Sequence, residues 1–99
     1  MKPKMSAFEK LRKHARETGD PPHVLAQVLA KLLGRELCGR VIVGGLGQAF
    51  PTIPLDELLK ATIWRRVTAD GDGMSDAEFD ALLGKWIADD LVSEERSPT

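Results

Sequence analysis

Tyrosine is absent, cysteine occurs once, histidine twice, and aromatic residues make up 5% of the chain. A single cysteine, Cys38, can form no internal disulfide and no cysteine-rich metal cluster, so a reducing compartment is expected. No apolar run approaches the ~20 residues of a membrane-spanning helix. The start, MKPKMSAFEK, passes from lysines directly into charged sequence without the apolar core of a secretory signal. These absences point to a cytoplasmic protein without membrane attachment.

What is present is ordinary globular composition: 99 residues, 42% hydrophobic and 29% charged. That length accommodates one core, and a single helical domain over 1–91 with a flexible tail over 92–99 is expected. A chain this short buries only about two-thirds of its unfolded surface, leaving room for a partner to add stability. The net charge of −1 conceals a split: residues 1–16 carry six lysines and arginines against Glu9, whereas residues 70–99 carry nine acids against Lys85 and Arg96. Such a dipole can steer a charged partner, or it can be a set of solvated helix faces.

Periodicity predicts an all-α, compact bundle of four to five short helices. Ser6-Ala7-Phe8-Glu9 fits a capping box opening a helix over about 6–17, with Phe8, Leu11 and Ala15 on one face. Asp20 followed by Pro21 signals a second start, for a helix over 22–33 that buries Val24, Leu25, Val28, Leu29, Leu32 and Leu33 and stops at Gly34. From Leu55 the spacing of Leu58, Leu59, Thr62, Ile63 and Val67 predicts a helix over 55–67. Phe79, Leu82, Leu83, Trp86, Ile87 and Leu91 predict another over 76–91.

Residues 36–54, ELCGRVIVGGLGQAFPTIP, fit two patterns. Arg40-Val41-Ile42-Val43 has strand composition, and the glycines at 39, 44, 45 and 47 weigh against a helix. A strand, however, has no partner segment elsewhere in the chain and would have to pair between two copies as a homodimer. A helix over 37–49 places Cys38, Ile42, Gly45 and Ala49 on one face, where small residues allow another helix to approach. The helix is the expectation adopted.

The stretch DGDGMSDAEF, 70–79, resembles the middle of an EF-hand calcium loop. With Gly73 as the obligatory glycine, Asp70, Asp72 and Asp76 fall on ligand positions, but Thr68 and Phe79 occupy the first and last ones, and Glu78 comes one residue early. The same letters spell a helix start: turn dipeptides at Asp70-Gly71 and Asp72-Gly73, a Met74–Phe79 hydrophobic staple, and a Ser75–Glu78 capping box. A degenerate calcium site is therefore a third-ranked alternative, and no metal residue is assigned.

No catalytic set emerges. His14 and His23 are not placed beside Cys38 or a serine, and Gly44-Gly45-Leu46-Gly47 lacks the lysine and hydroxyl of a phosphate loop. No cofactor is implied. The expectation is a non-catalytic protein-binding module, such as a regulator, inhibitor or immunity-type protein, meeting a basic partner through an acidic surface. Its candidate residues are Trp64, Arg65, Asp70, Asp72, Asp76 and Asp80. Trp64, between Ile63 and Arg65-Arg66 at the margin of the apolar stripe, has either the make-up of an interface hot spot or that of a packed core residue. The alternative is nucleic-acid binding through Lys10, Arg12, Lys13 and Arg16 on the first helix, disfavoured by the overall charge and the absence of tyrosine.

Overall fold

Helix follows helix through residues 6–68 and 70–96, the part of the chain that the computed structural model describes. In order these are α1 (Ala7–Thr18), α2 (Pro22–Leu33), a π-helix (Val41–Leu46) running directly into the short α3 (Gly47–Ala49), α4 (Leu55–Ala61) and α5 (Asp76–Arg96). Among the described residues there is no strand, and β-type pairing is confined to one isolated parallel bridge between Trp64 and Met74. The all-α bundle expected from periodicity is what the chain forms. Its α2 packs against α1, α5 and the π-helix, while α4 packs on α5 and the π-helix.

Caps account for the ends. Ser6 Oγ accepts from the Glu9 N–H at 3.1 Å, opening α1 one residue later than expected, and Gly19 closes it. The cap of α2 is Pro21, not Asp20, because Pro21 is already extended (φ −70°, ψ 161°) with Pro22 at the first helical position. Asp20 instead meets His14 Nε2 at 2.7 Å. At the far end, Arg35 N–H reaches the Ala30 carbonyl at 3.0 Å, a Schellman closure around Gly34.

Residues 39–49 form a helix, opening two residues later than the expected 37 and widened to the π form over Val41–Leu46. The close approach expected of its small residues is real at Gly45, where a Cβ would come within 2.6 Å of Leu29 Cδ2 on α2. Ile42, Leu46, Ala49 and Phe50 are fully buried on this side, and Cys38 packs half-buried at the core's edge.

Two further boundaries differ more widely from the sequence reading. Helix α4 stops at Ala61 rather than 67, and its buried side holds Leu58 and Ala61, with Trp64 beyond its end, so Leu55, Leu59 and Ile63 are left outside. The helix stops because the next backbone groups are used elsewhere: Met74 N–H donates to the Ile63 carbonyl (2.8 Å) and Arg65 N–H to the Met74 carbonyl (2.9 Å), folding 65–74 back as a closed loop. Gly73 permits that closure, since its φ is +136° and a Cβ there would run into the Ile63 carbonyl oxygen. Helix α5, by contrast, runs past Leu91 to Arg96; no glycine or proline intervenes until Pro98. Of the tail expected over 92–99, residues 97–99 lie outside the described residues.

Candidate functional site

The acidic stretch was expected to be a surface; three of its aspartates are instead fastenings. Asp76, in the first turn of α5, accepts from Trp64 Nε1 at 2.8 Å through Oδ1. It also takes the Arg66 guanidinium side-on, Nε to Oδ1 at 2.9 Å and Nη2 to Oδ2 at 2.7 Å. Arg65 Nη2 stands 3.8 Å from the same carboxylate. These donors, with Arg66 foremost and Trp64 second, hold the Asp76 carboxyl far below the usual aspartate range despite some loss of solvent. The Arg66 guanidinium is raised in return, chiefly by its bond to Asp76.

Trp64 itself is fully buried, its ring stacked on Phe79 with centroids 4.0 Å apart. It is withdrawn from the set of partner-binding residues: the turn after α4 points the indole inward, where burial of a large aromatic ring outweighs its exposure at a rim. Asp76 leaves that set for the same reason, its oxygens being occupied.

Asp80, one turn along α5, caps a different helix. Its Oδ1 accepts from the His23 backbone N–H at 2.8 Å, and both oxygens lie within 3.0 Å of His23 Nδ1. This supplies the acceptor that Pro21 cannot, 57 residues away in sequence. Asp90 completes the series at 6% exposure, bound to Arg12 Nη1 at 2.7 Å and accepting from Thr52 N–H at 2.9 Å. Burial acts to raise its pKa, but the Thr52 and Arg12 bonds outweigh it and leave the carboxyl below its ordinary value. Arg12 also bonds the Ala49 carbonyl at 2.7 Å and lies over the Phe50 ring. Of the cations considered for nucleic acid, Arg12 thus turns inward, whereas Lys10, Lys13 and Arg16 are exposed on α1.

No sequence signal announced these three fastenings, since each joins residues at least ten positions apart. The capping box did announce the helix start: Ser75 Oγ accepts from Glu78 N–H and Glu78 Oε1 from Ser75 N–H. Asp70 accepts from Asp72 N–H at 3.0 Å as an Asx turn, and Thr68 Oγ1 ties down the Asp72 carbonyl. The three aspartates aligned with calcium ligands therefore do not converge, and among the described residues no group of three or more potential ligand side chains does. Each histidine ring faces a single carboxylate, Asp20 for His14 and Asp80 for His23, and Thr18 beside the first pair bonds backbone groups, its Oγ1 donating to the His14 carbonyl and accepting from the Asp20 N–H. No helix among the described residues is long and apolar enough to cross a membrane.

Besides a cavity of about 250 Å³ lined by Pro21, Pro22, Leu25, Gly84 and Ile87, two features stand on the outside. The first is a ridge: Leu55 is 58% exposed, Leu59 52% and Ile63 56%, four residues apart along α4 and into the turn after it. Asp56 and Lys60 are exposed beside it, and the Asp70–Gly73 loop abuts its end through the Met74–Ile63 bond. The second is a cavity of about 250 Å³ between the start of α1, the end of α2 and the π-helix, lined by Phe8, Leu33, Arg35, Arg40, Val41, Gly44, Gly45 and Gln48.

The chain matches no protein-family model, and no curated protein and no solved structure is detectably similar to it.

Proposed function

We propose that the chain is a non-catalytic protein-binding module, of the regulator, inhibitor or immunity type, that docks a helix of its partner along Leu55, Leu59 and Ile63. One observation carries the reading: three large aliphatic side chains, each more than half exposed and spaced four residues apart, Leu55 and Leu59 on α4 and Ile63 in the turn that follows it. Burying the exposed half of each is worth about 1 kcal/mol, a gain open to a partner and not taken within the fold. A four-residue row is the ridge that interdigitates with a second helix. The partner helix presents apolar residues at the same spacing. It carries basic side chains at the end facing Asp70 and Asp72, both exposed and free of cationic partners among the described residues.

This revises the acidic-surface idea in one respect. Asp70 and Asp72 keep the role of meeting a basic partner, while Asp76, Asp80 and Trp64 hold the surface in place from beneath. Arg65, exposed and only distantly paired with Asp76, belongs to the rim.

The test is a photoreactive amino acid at position 59, with the same residue at exposed Glu17 as control, followed by reconstitution with the purified crosslinked protein. The expected result is one protein labelled from 59 and not from 17 that rebinds in purified form. Equal labelling from both positions, or no rebinding, overturns the reading. Labelling of a second copy of the chain would identify a homodimer as the complex.

A further inference from the structure

The cavity beside the π-helix combines four features that packing does not account for together. Its walls are apolar at Phe8, Leu33 and Val41. Its mouth carries the exposed Arg35 and Arg40, and among the described residues neither guanidinium makes a hydrogen bond or ion pair. The wall bearing Val41 and Gly44 is the π-helix, a backbone form that is rare and recurrent at functional sites, with Arg40 as its N-terminal cap.

The fourth feature is Gly44. Its neighbour Gly45 has a steric reason to be glycine, the contact with Leu29; Gly44 has none. A Cβ at 44 would meet nothing within 4 Å, and its φ is not in the left-handed region. Glycine in a helix interior is nonetheless unfavourable relative to alanine. Gly44 is exposed, so the space that a Cβ would take opens to solvent at the cavity mouth, where a ligand can enter.

We propose that this cavity is a binding site for a small amphipathic anion, a carboxylate or phosphate head on a short aliphatic body. The head lies between Arg35 and Arg40, where a planar guanidinium fork matches two oxygens of either anion. The body lies against Phe8, Leu33 and Val41, passing over Gly44. At interior packing density, about 250 Å³ holds on the order of ten non-hydrogen atoms, the size of an eight-carbon acid. The charge–apolar division of the lining sets the ligand class: a purely polar anion gains nothing from the floor, and a neutral alkyl chain leaves both arginines unmet. The site is separate from the α4 ridge, and its test is independent of any protein partner.

The experiment is titration of the ¹⁵N-labelled chain with octanoate, octyl phosphate, octanol and inorganic phosphate, followed by NMR at the amides of residues 40–48. Saturable shifts are expected with octanoate and octyl phosphate, and the stronger of the two identifies the head group. Octanol and inorganic phosphate should bind at least ten-fold more weakly. Arg40→Gln should weaken anion binding about ten-fold or more. Gly44→Met, which fills open space and leaves the fold intact, should abolish it, whereas Gly44→Ala should raise the thermal midpoint. Absence of saturable shifts with both octyl anions, or unchanged binding in Gly44→Met with native circular dichroism, would overturn the proposal.

Discussion

At the scale of single residues, Gly73 and Trp64 determine where α4 ends. Trp64 belongs beside Phe79, and reaching it requires the chain to leave the helix after Ala61 and return through a glycine with φ +136°. Gly71 has positive φ as well, but open space around it. Gly73→Ala is therefore expected to cost ~2–3 kcal/mol or more in urea denaturation, because strain is joined by a collision with the Ile63 carbonyl. Gly71→Ala should cost about 1 kcal/mol. Equal effects at both positions would mean that the Ile63–Met74 closure does not define the loop. Part of this was legible beforehand, in the Asp72-Gly73 turn dipeptide and in Trp64 as a candidate core residue; the early end of α4 was not, because Ile63 and Val67 stand in helical phase with Leu59.

At the scale of elements, the sequence was informative about local chemistry and silent about what lies far along the chain. The Ser6 and Ser75 caps, Pro21-Pro22 and Gly34 are contacts within a few residues, so their signatures survive in the sequence. The buried side of residues 41–50 was also visible, because Gly45, Ala49, Ile42 and Leu46 could share a face only in a helix. The π widening was not, since the glycines at 44 and 45 fit either helical form. The helix α4 stripe was read about one residue out of phase, since exposed Leu55, Leu59 and Ile63 look as core-like as Leu58 and Ala61. The acids of α5 were assigned to a surface on count alone, although 76, 80 and 90 each hold another element. Asp80 provides a direct check at this scale. Asp80→Ala removes the side-chain acceptor that caps the start of α2 and should cost about 1 kcal/mol, with amide exchange at residues 23–25 accelerating before that of the rest of the helix.

At the scale of the molecule, α5 is a strut that ties the 62–75 loop, α2 and α1 through three carboxylates, two of them with depressed pKa values. A depressed carboxyl stabilises the fold fully above its unfolded value, ordinarily 3.8 for aspartate, and that contribution disappears as pH falls through the folded value. Stability from Asp76 and Asp90 should thus persist at neutral pH and fall as pH drops below about 4. Urea midpoints between pH 7 and pH 2 measure this, and Arg66→Gln should flatten the acid limb by removing the main partner of Asp76. The charge dipole seen along the sequence is correspondingly smaller in the folded protein, as Arg12 from the basic end neutralises Asp90 from the acidic end. Arg12→Ala would leave that aspartate buried and unpaired, at a cost of about 3 kcal/mol, while exposed Lys13→Ala should change stability by less than ~0.5 kcal/mol.

The proposed docking role rests on the exposed Leu55, Leu59 and Ile63. The most direct measurement is calorimetric titration of the purified partner, identified through position 59, against the native chain and Leu59→Lys with matched thermal stability. The account predicts that the lysine variant binds at least thirty-fold more weakly, the ~2 kcal/mol expected of a central apolar contact. A dissociation constant unchanged by Leu59→Lys would contradict it.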